Sequence, residues 1–258
     1  MFNLFRKKEI KKMGLQNESY YNDKWPKAPI IYSGRALRGK KDRIGVDVKN
    51  FISTNDELLK DIVNKYKLKK SKPDDTALAV QQWVVKFLTY KYDDELNQTP
   101  EFWQFPFETL QSQHGDCEDG AILITALCIT AGVPGWRVKV AAGNVQSSPT
   151  APQGGHAYCI YLAEDGDWRI LDWCYYEDSK VAVLTKPKAK DGGQQNAYKD
   201  VWFTFNNEYS WNQQSLVLGA RISNDKADNS SNTLQEVLNN KISTESIMEE
   251  IEKKVQVE

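Results

Sequence analysis

The sequence predicts an α+β fold, because helical patterns come first along the chain and strand patterns follow. Three segments show the helical spacing of apolar side chains, at 55–67, 76–90 and 117–131. Strand-like runs follow at 136–142, 156–162 and 168–173, with weaker candidates at 181–185 and 201–205. Helices followed by a series of strands are typical of a domain in which the helices pack on an antiparallel sheet.

The first two predicted helices have recognisable boundaries. Thr54 and Glu57 form a capping box ahead of the first helix. A basic linker at 67–73 separates the two helices.

The third predicted helix has the sharpest start and the most apolar body. Asp116 is a suitable N-cap, and Asp119 stands where a capping-box carboxylate lies. This places Cys117 at the first helical position, beside unpaired N–H groups and the positive end of the helix dipole. Such a setting lowers the pKa of a thiol, whereas the charges of Glu118 and Asp119 raise it. The direction of the net shift therefore stays open at this point.

Composition divides the chain into three parts. Its 258 residues, 40% of them hydrophobic, suffice for one core. Residues 1–50 hold 13 Lys/Arg against 5 Asp/Glu and are predicted to be a basic N-terminal arm. Residues 51–218 form the predicted domain, and 219–258 form an acidic, polar C-terminal tail with short helices near 233–242 and 244–255. Because the arm and the tail contain few core-type residues, the domain is expected to fold without them.

Charge and hydropathy bound the partners and the location. The net charge of −1 gives no indication of a polyanionic partner, so no specific nucleic acid is expected. No membrane span and no secretory signal are recognised, so a cytoplasmic location is predicted. The basic arm or the acidic tail is the part expected to bind another protein. Reduced cysteines are expected, because Cys117 and Cys128 would lie about 16 Å apart along one helix.

A cysteine nucleophile needs a base and a group that orients the base. The chain has only two histidines, His114 and His156. The turn into the third helix makes it hard for the His114 ring to face the Cys117 sulfur. His156 begins an apolar strand behind two glycines and is therefore the predicted base. Asp172 in the next predicted strand is the predicted orienting carboxylate, because a carboxylate among apolar neighbours needs a partner.

The residues 164–167 predict a hairpin between the strands that carry this histidine and this aspartate. If Leu162 pairs with Trp168, then Asp172 lies opposite Tyr158 and diagonal to His156. A loop two residues shorter would place Asp172 directly opposite His156. Either register puts the two side chains on one face of the sheet, whereas a register shifted by one residue would separate them.

Metal and cofactor sites have less support. His114 with Cys117, and His156 with Cys159, have a spacing that occurs at zinc sites. Residues three apart on a strand point to opposite faces, which argues against the second pair. The sequence contains neither a phosphate-binding loop nor a dinucleotide fingerprint, so we expect no metal and no cofactor.

A family resemblance rests on three groups of residues. They are Trp103 with Pro106, Glu108 and Leu110; the run 115–119 (Gly-Asp-Cys-Glu-Asp); and Gly155-His156 with Leu171-Asp172-Trp173. In these residues the chain resembles the transglutaminase-like superfamily, and within it the bacterial transglutaminase-like cysteine peptidases. The resemblance implies a papain-like core, with the cysteine at a helix N-terminus packed on an antiparallel sheet that carries the histidine and the aspartate. It also implies that Asp116 and Glu118 could bind calcium, although helix capping explains the same residues.

The resemblance implies a thiol-dependent hydrolase that acts on protein or peptide amides through a Cys117-His156-Asp172 triad and a thioester. The alternatives are an acyltransferase that cross-links protein glutamines with the same triad, and a non-catalytic interaction module. The oxyanion is expected to bind the Cys117 N–H together with a donor from Trp103, Gln104 or Gln113. Trp173 is a further candidate for substrate binding. An intracellular, phage-encoded or virion-associated protein fits the expected lack of a signal peptide.

Overall fold

The computed structural model of the chain describes residues 15–36, 43–175, 180–189, 197–212 and 243–256. Its α-helices are α1 (Glu18–Asn22), α2 (Glu57–Lys65), α3 (Pro73–Phe87), α4 (Asp93–Leu96), α5 (Pro106–Ser112), α6 (Cys117–Thr130) and α7 (Thr244–Gln256). Its strands are β1 (Ile31–Ala36), β2 (Arg43–Asp47), β3 (Thr89–Tyr90), β4 (His114–Gly115), β5 (Val138–Val145), β6 (Gly154–Leu162), β7 (Trp168–Leu171), β8 (Tyr198–Phe205) and β9 (Ser210–Asn212).

A five-stranded antiparallel sheet forms the centre of the fold, in the order β7-β6-β5-β8-β9. Helix α6 packs on one face of this sheet, with α3 and α2 beside it. Strand residues alternate between the two faces, so Cys159 and Tyr161 meet the helices, whereas Tyr158 and Ile160 belong to a second apolar cluster. The α+β class with a helix-covered antiparallel sheet is confirmed.

The β6–β7 hairpin adopts the first of the two predicted registers. Leu162 pairs with Trp168, and the ladder ends where Cys159 pairs with Leu171. Asp172 therefore lies directly after β7 rather than inside a strand. At this position its side chain can turn towards β6 without taking part in the ladder.

Several predicted boundaries were wrong. Helix α2 is capped by Asp56, whose carboxylate accepts the Leu58 N–H at 2.9 Å, and not by Thr54. Helix α3 begins at Pro73, which the prediction left in a linker. Proline suits the first helical turn because the N–H that it lacks would be unpaired there. The weak strand at 181–185 is instead a short 3-10 turn, Val183–Thr185.

The two ends of the chain contribute to the core. Ile30, Val46 and Val48, from the segment predicted to be an arm, are buried in the same cluster as α6. Ile247 and Ile251 of α7 are buried there as well. The domain boundaries at residues 50 and 218 remain predictions, and this burial argues against them.

The tail was predicted to contain two short helices. The second of them corresponds to α7, and the stretch near 233–242 lies outside the described residues. Within the part of the chain that the structure covers, no helix has the length and apolar character needed to cross a membrane.

Candidate active site

Cys117 is the first residue of α6, as the sequence predicts. The N–H of Asp116 donates to the Asp119 carboxylate at 3.3 Å, which closes the turn before the helix. The Trp173 indole N–H donates to the carbonyls of both Asp116 and Cys117, at 3.2 and 3.3 Å. A Cβ at Gly120 would collide with this indole. Gly120 is therefore needed for the contact, although the sequence analysis did not single it out.

A buried hydrogen-bond network braces the same helix end from the other side. The backbone N–H of Gln104 donates to Asp119 at 2.8 Å. The side-chain amide of Gln104 donates to Asp119 and to the His114 carbonyl. Strand β4, which contains His114, pairs in parallel with β3 and leads directly into Cys117. The path of the chain into α6 is thus held by contacts that are remote in sequence.

His156 and Asp172 form a direct hydrogen bond. Nε2 of the ring lies 2.6 Å from Oδ2 of the carboxylate, and both side chains are buried. The ring also lies against Tyr175 and Tyr158, with centroid distances of 5.3 and 5.8 Å. Because Asp172 engages Nε2, Nδ1 is the ring nitrogen that can exchange a proton with another group.

Asp172 is held by further donors. The Tyr198 hydroxyl donates to Oδ2 at 2.7 Å, and the Cys174 backbone N–H donates to Oδ1 at 3.2 Å. The Gln81 amide donates to the Asp172 carbonyl at 2.6 Å. Burial opposes the charge of this carboxylate, but the His156 ring, the Tyr198 hydroxyl and the Cys174 N–H outweigh it and hold the pKa of Asp172 below its ordinary value.

A cavity of about 1040 Å³ opens beside this pair. Cys117 and His156 both line it, and so do Gly155 and Ala157 at the start of β6. Aromatic side chains and carboxylates make up much of the rest of the wall, and no lysine or arginine is among the described residues that line it. These aromatic residues are Tyr32, Tyr90, Tyr92, Trp103, Trp202 and Phe203.

The environment of the Cys117 thiol disfavours the thiolate. Burial raises its pKa, and the charge of Asp116 raises it further. The Ala157 N–H acts in the opposite direction. The sulfur lies 3.2 Å from Oε2 of Glu118 and can donate its proton there. The net shift that the sequence left open is therefore upward in this structure, because desolvation outweighs the helix N-terminus.

A cluster of carboxylates adjoins the thiol. The carboxylate oxygens of Asp93, Glu101 and Glu118 lie within 4.8 Å of one another, and so do those of Asp93, Asp116 and Asp119. Burial raises the pKa of all five groups, that of Asp93 to about 7. Buried oxygens of two of these residues, Oδ1 of Asp116 and Oε1 of Glu118, have no hydrogen-bond partner. Such an oxygen-only set fits a hard divalent cation such as calcium.

The predicted oxyanion and substrate-binding residues separate into two groups. Trp103 lines the cavity, although its indole N–H already donates to Glu101 at 2.7 Å. Gln104, Gln113 and Trp173 do not line it. The Gln104 amide is occupied with Asp119 and His114, so the geometry does not favour Gln104 as an oxyanion donor.

The contacts of Gln113 and His114 hold the local backbone, and neither residue lines the cavity. Gln113 ends α5 in the left-handed conformation, and its carbonyl accepts the Thr89 N–H. The Nδ1 atom of His114 lies 2.6 Å from the Ser112 carbonyl, and His114 is not among the cavity residues. Tyr198 and Gln81, which hold Asp172, were missed by the sequence analysis. They lie 26 and 91 residues from Asp172, and no local pattern marks them.

The fold and the site define a class of α+β protein, with a helix-terminal cysteine and a histidine–carboxylate pair at one cavity. A sequence model of the transglutaminase-like superfamily matches residues 60–173, which contain all three of these side chains. Over these residues, which make up less than half of the chain, the sequence is similar to that superfamily. No curated protein matches the chain significantly.

Solved structures resemble the chain at low identity. Calcium-bound LapG of Legionella pneumophila is 19% identical, with a TM-score of 0.45, and the match covers 70% of this chain and 86% of LapG. A second LapG structure is 19% identical, with a TM-score of 0.43, and the match covers 74% of this chain and 96% of that structure. A candidate cysteine protease from Cytophaga hutchinsonii is 17% identical, with a TM-score of 0.35. This match covers 67% of this chain and 59% of the protease.

Proposed function

We propose that the chain is a thiol-dependent hydrolase of protein or peptide amide bonds, of the cysteine peptidase type. The observation that carries the proposal is the hydrogen bond between His156 and Asp172 at a cavity that Cys117 also lines. A nucleophile, a base and an orienting carboxylate at one cavity are the requirements of covalent acyl chemistry.

In the proposed reaction His156 takes up and releases a proton twice, once for each half of the reaction. Nδ1 of His156 takes the thiol proton, and the Cys117 sulfur attacks the amide carbon of the substrate. The tetrahedral intermediate collapses to a thioester, and the leaving amine receives the proton from His156. Water then attacks the thioester, and His156 takes the proton from this water. The second tetrahedral intermediate expels the Cys117 sulfur, which regains the proton from His156 as the carboxylic acid is released. Asp172 fixes the ring orientation and stabilises the imidazolium.

The backbone N–H of Cys117 is the primary oxyanion donor in this proposal. It is one of the unpaired donors at the start of α6, where the helix dipole also favours negative charge. Trp103 is proposed to contribute aromatic surface to the substrate cleft, since it lines the cavity.

We also propose that calcium binds at Asp116 and Glu118, with Asp93 and Glu101 as further ligands. The carboxylates that the chain brings together there would otherwise repel one another. A bound cation would offset the negative charge that raises the pKa of the adjacent thiol. The cation would act through its charge alone, whereas His156 carries out the proton transfers of the proposed reaction.

Thiol labelling tests the nucleophile without knowledge of the substrate. We expect iodoacetamide at pH 6–7 to alkylate Cys117 before Cys128 and Cys159, which are fully buried. His156→Ala should slow labelling at Cys117. Asp116→Asn should accelerate labelling at Cys117, because it removes a charge that raises the pKa of this thiol. Labelling of Cys117 at the rate of the two buried thiols would contradict the assignment.

The acyltransferase and the non-catalytic module remain alternatives with the same fold. Incubation of a glutamine-containing protein with a labelled primary amine separates the outcomes. A hydrolase releases new peptide termini or carboxylates, a transferase incorporates the amine, and a binding module does neither. Cys117→Ala serves as the blank in every case.

A further inference from the structure

We propose that Tyr198 is a positioning residue of the site. Its hydroxyl donates a hydrogen bond to Asp172, and this contact sets the proton affinity of His156. This inference rests on the proposed function only for its consequence in catalysis. The geometry itself concerns three buried side chains and can be tested without a substrate.

One carboxylate oxygen serves both partners. Oδ2 of Asp172 accepts from Nε2 of His156 at 2.6 Å and from the Tyr198 hydroxyl at 2.7 Å. The other oxygen, Oδ1, accepts the backbone N–H of Cys174 at 3.2 Å. With both oxygens engaged, the carboxylate cannot rotate without breaking hydrogen bonds in a buried environment.

Tyr198 reaches the pair across the sheet. Val145 of β5 pairs with Gly154 of β6 on one side and with Tyr198 of β8 on the other. The Tyr198 ring packs on Tyr158 with a centroid distance of 4.6 Å, and on Tyr175 at 6.0 Å. Strand pairing and aromatic packing therefore fix the position of the Tyr198 hydroxyl.

The second donor weakens the hold of the carboxylate on the histidine. A carboxylate oxygen that already accepts a hydrogen bond from Tyr198 attracts the imidazolium proton less strongly than one whose sole partner is the ring. In a Cys–His pair this matters because the base must release the proton to the leaving amine after it has taken it from the thiol.

The groups that act on His156 come from several elements. Asp172 and Cys174 lie after β7, and Asp116 precedes α6 and interacts electrostatically with the ring. Tyr158 on β6 and Tyr175 pack on the ring. Of the three nearby tyrosines, Tyr198 is the one whose hydroxyl is bonded to Asp172, whereas the buried Tyr158 hydroxyl has no partner.

This difference supplies a matched control. Tyr198→Phe and Tyr158→Phe each remove one hydroxyl from the same buried aromatic group, but only Tyr198→Phe removes a hydrogen bond to Asp172. The chain has two histidines, so a proton NMR titration of the ring C–H signals reports both pKa values, and His114→Gln assigns them. The full-length protein is used throughout.

We expect the pKa of His156 to rise by about half a unit or more in Tyr198→Phe and to stay near the wild-type value in Tyr158→Phe. An unchanged value in Tyr198→Phe, or equal changes in both variants, would overturn the proposal. If Tyr198→Phe does not fold, the wild-type spectrum decides. A protected Tyr198 hydroxyl proton with a nuclear Overhauser effect to the His156 Nε2–H supports the proposal, and its absence contradicts it. If thiol labelling contradicts Cys117 as the nucleophile while the titration gives the expected result, the proposed hydrolase function is wrong and the positioning role of Tyr198 stands.

Discussion

Nε2 of His156 and Oδ2 of Asp172 are 2.6 Å apart although the two residues belong to different strand ends. The contact exists because β7 stops at Leu171, one residue before the aspartate, while β6 continues past it to Gly154. The part of β6 that extends beyond its pairing with β7 thus presents His156 to a carboxylate that lies directly after the ladder. Burial of both groups makes this hydrogen bond strong and its loss costly.

Asp172 should have separate effects on stability and turnover. Asp172→Ala leaves His156, Tyr198 and a backbone N–H without their buried acceptor, and we expect a loss of about 3–5 kcal/mol in the free energy of unfolding. Asp172→Asn keeps one oxygen and should cost less stability. It should still lower turnover by about 10³-fold or more, because the amide favours the wrong tautomer of the ring. Denaturant titrations and single-turnover assays measure the two effects, and equal activity of Asp172→Asn and wild type would exclude the orienting role.

The two histidines should behave differently. His156→Ala should reduce acyl chemistry nearly as much as Cys117→Ala, because residues that act as a unit are non-additive. His114→Ala should retain most of the activity, since its ring bonds the Ser112 carbonyl and is not among the cavity residues. Rates of Cys117 labelling in the two histidine variants provide the measurement, with Cys117→Ala as the blank. If His114→Ala stops labelling while His156→Ala does not, the assignment of the base is wrong.

Calcium should stabilise the protein in a pH-dependent way. The pKa of Asp93 is raised to about 7 by burial, against about 3.9 in an unfolded chain. The stability that this proton provides is fully present below about pH 4 and is lost as the pH rises through 7. Calcium should therefore raise Tm clearly at pH 7.5 and little at pH 5, where Asp93 is protonated. At a free calcium concentration of about 100 times Kd, the free energy of unfolding should increase by about 2.7 kcal/mol.

Variants identify the ligands in the same melting experiment. Glu118→Gln should abolish the calcium-induced rise in Tm, because its Oε1 is a buried oxygen without a partner. Asp94→Asn is the matched control, since Asp94 also lines the cavity but is exposed and outside the carboxylate clusters. A calcium response that persists in Glu118→Gln, or an equal response to magnesium, would argue against the site.

Truncation should reveal the contribution of the two ends. A chain of residues 51–218 lacks Ile30, Val46, Val48, Ile247 and Ile251, each buried in the main cluster. Burial of one such side chain is worth about 1.5–3 kcal/mol, and a typical domain is stable by about 5–15 kcal/mol in total. We now expect this truncation to melt far below the full-length protein or to aggregate, in contrast to the expectation from composition. Deletion of residues 1–14 is the control, because it removes none of these five side chains. A 51–218 chain with the Tm of the full-length protein would restore the original boundaries.

Local patterns in the sequence determined the elements that carry the site. The start of α6 at Cys117 follows from Asp116 and from the capping position of Asp119, which are near in sequence and act within one turn. The turn residues and the two-residue alternation of a strand limited the β6–β7 hairpin to two predicted registers, and the pairing of Leu162 with Trp168 is one of them.

Only the tertiary structure decided what surrounds these elements. The contacts of Gln81 and Tyr198 with Asp172, and of Gln104 with Asp119, join residues that are 15 to 91 positions apart, and no local pattern encodes them. The direction of the shift in the pKa of Cys117 was likewise beyond the sequence. The helix N-terminus lowers this pKa and is visible in the sequence, but the larger effects are burial and the charge of Asp116. Burial depends on every element that packs around the sulfur, and it exists only once the chain has folded.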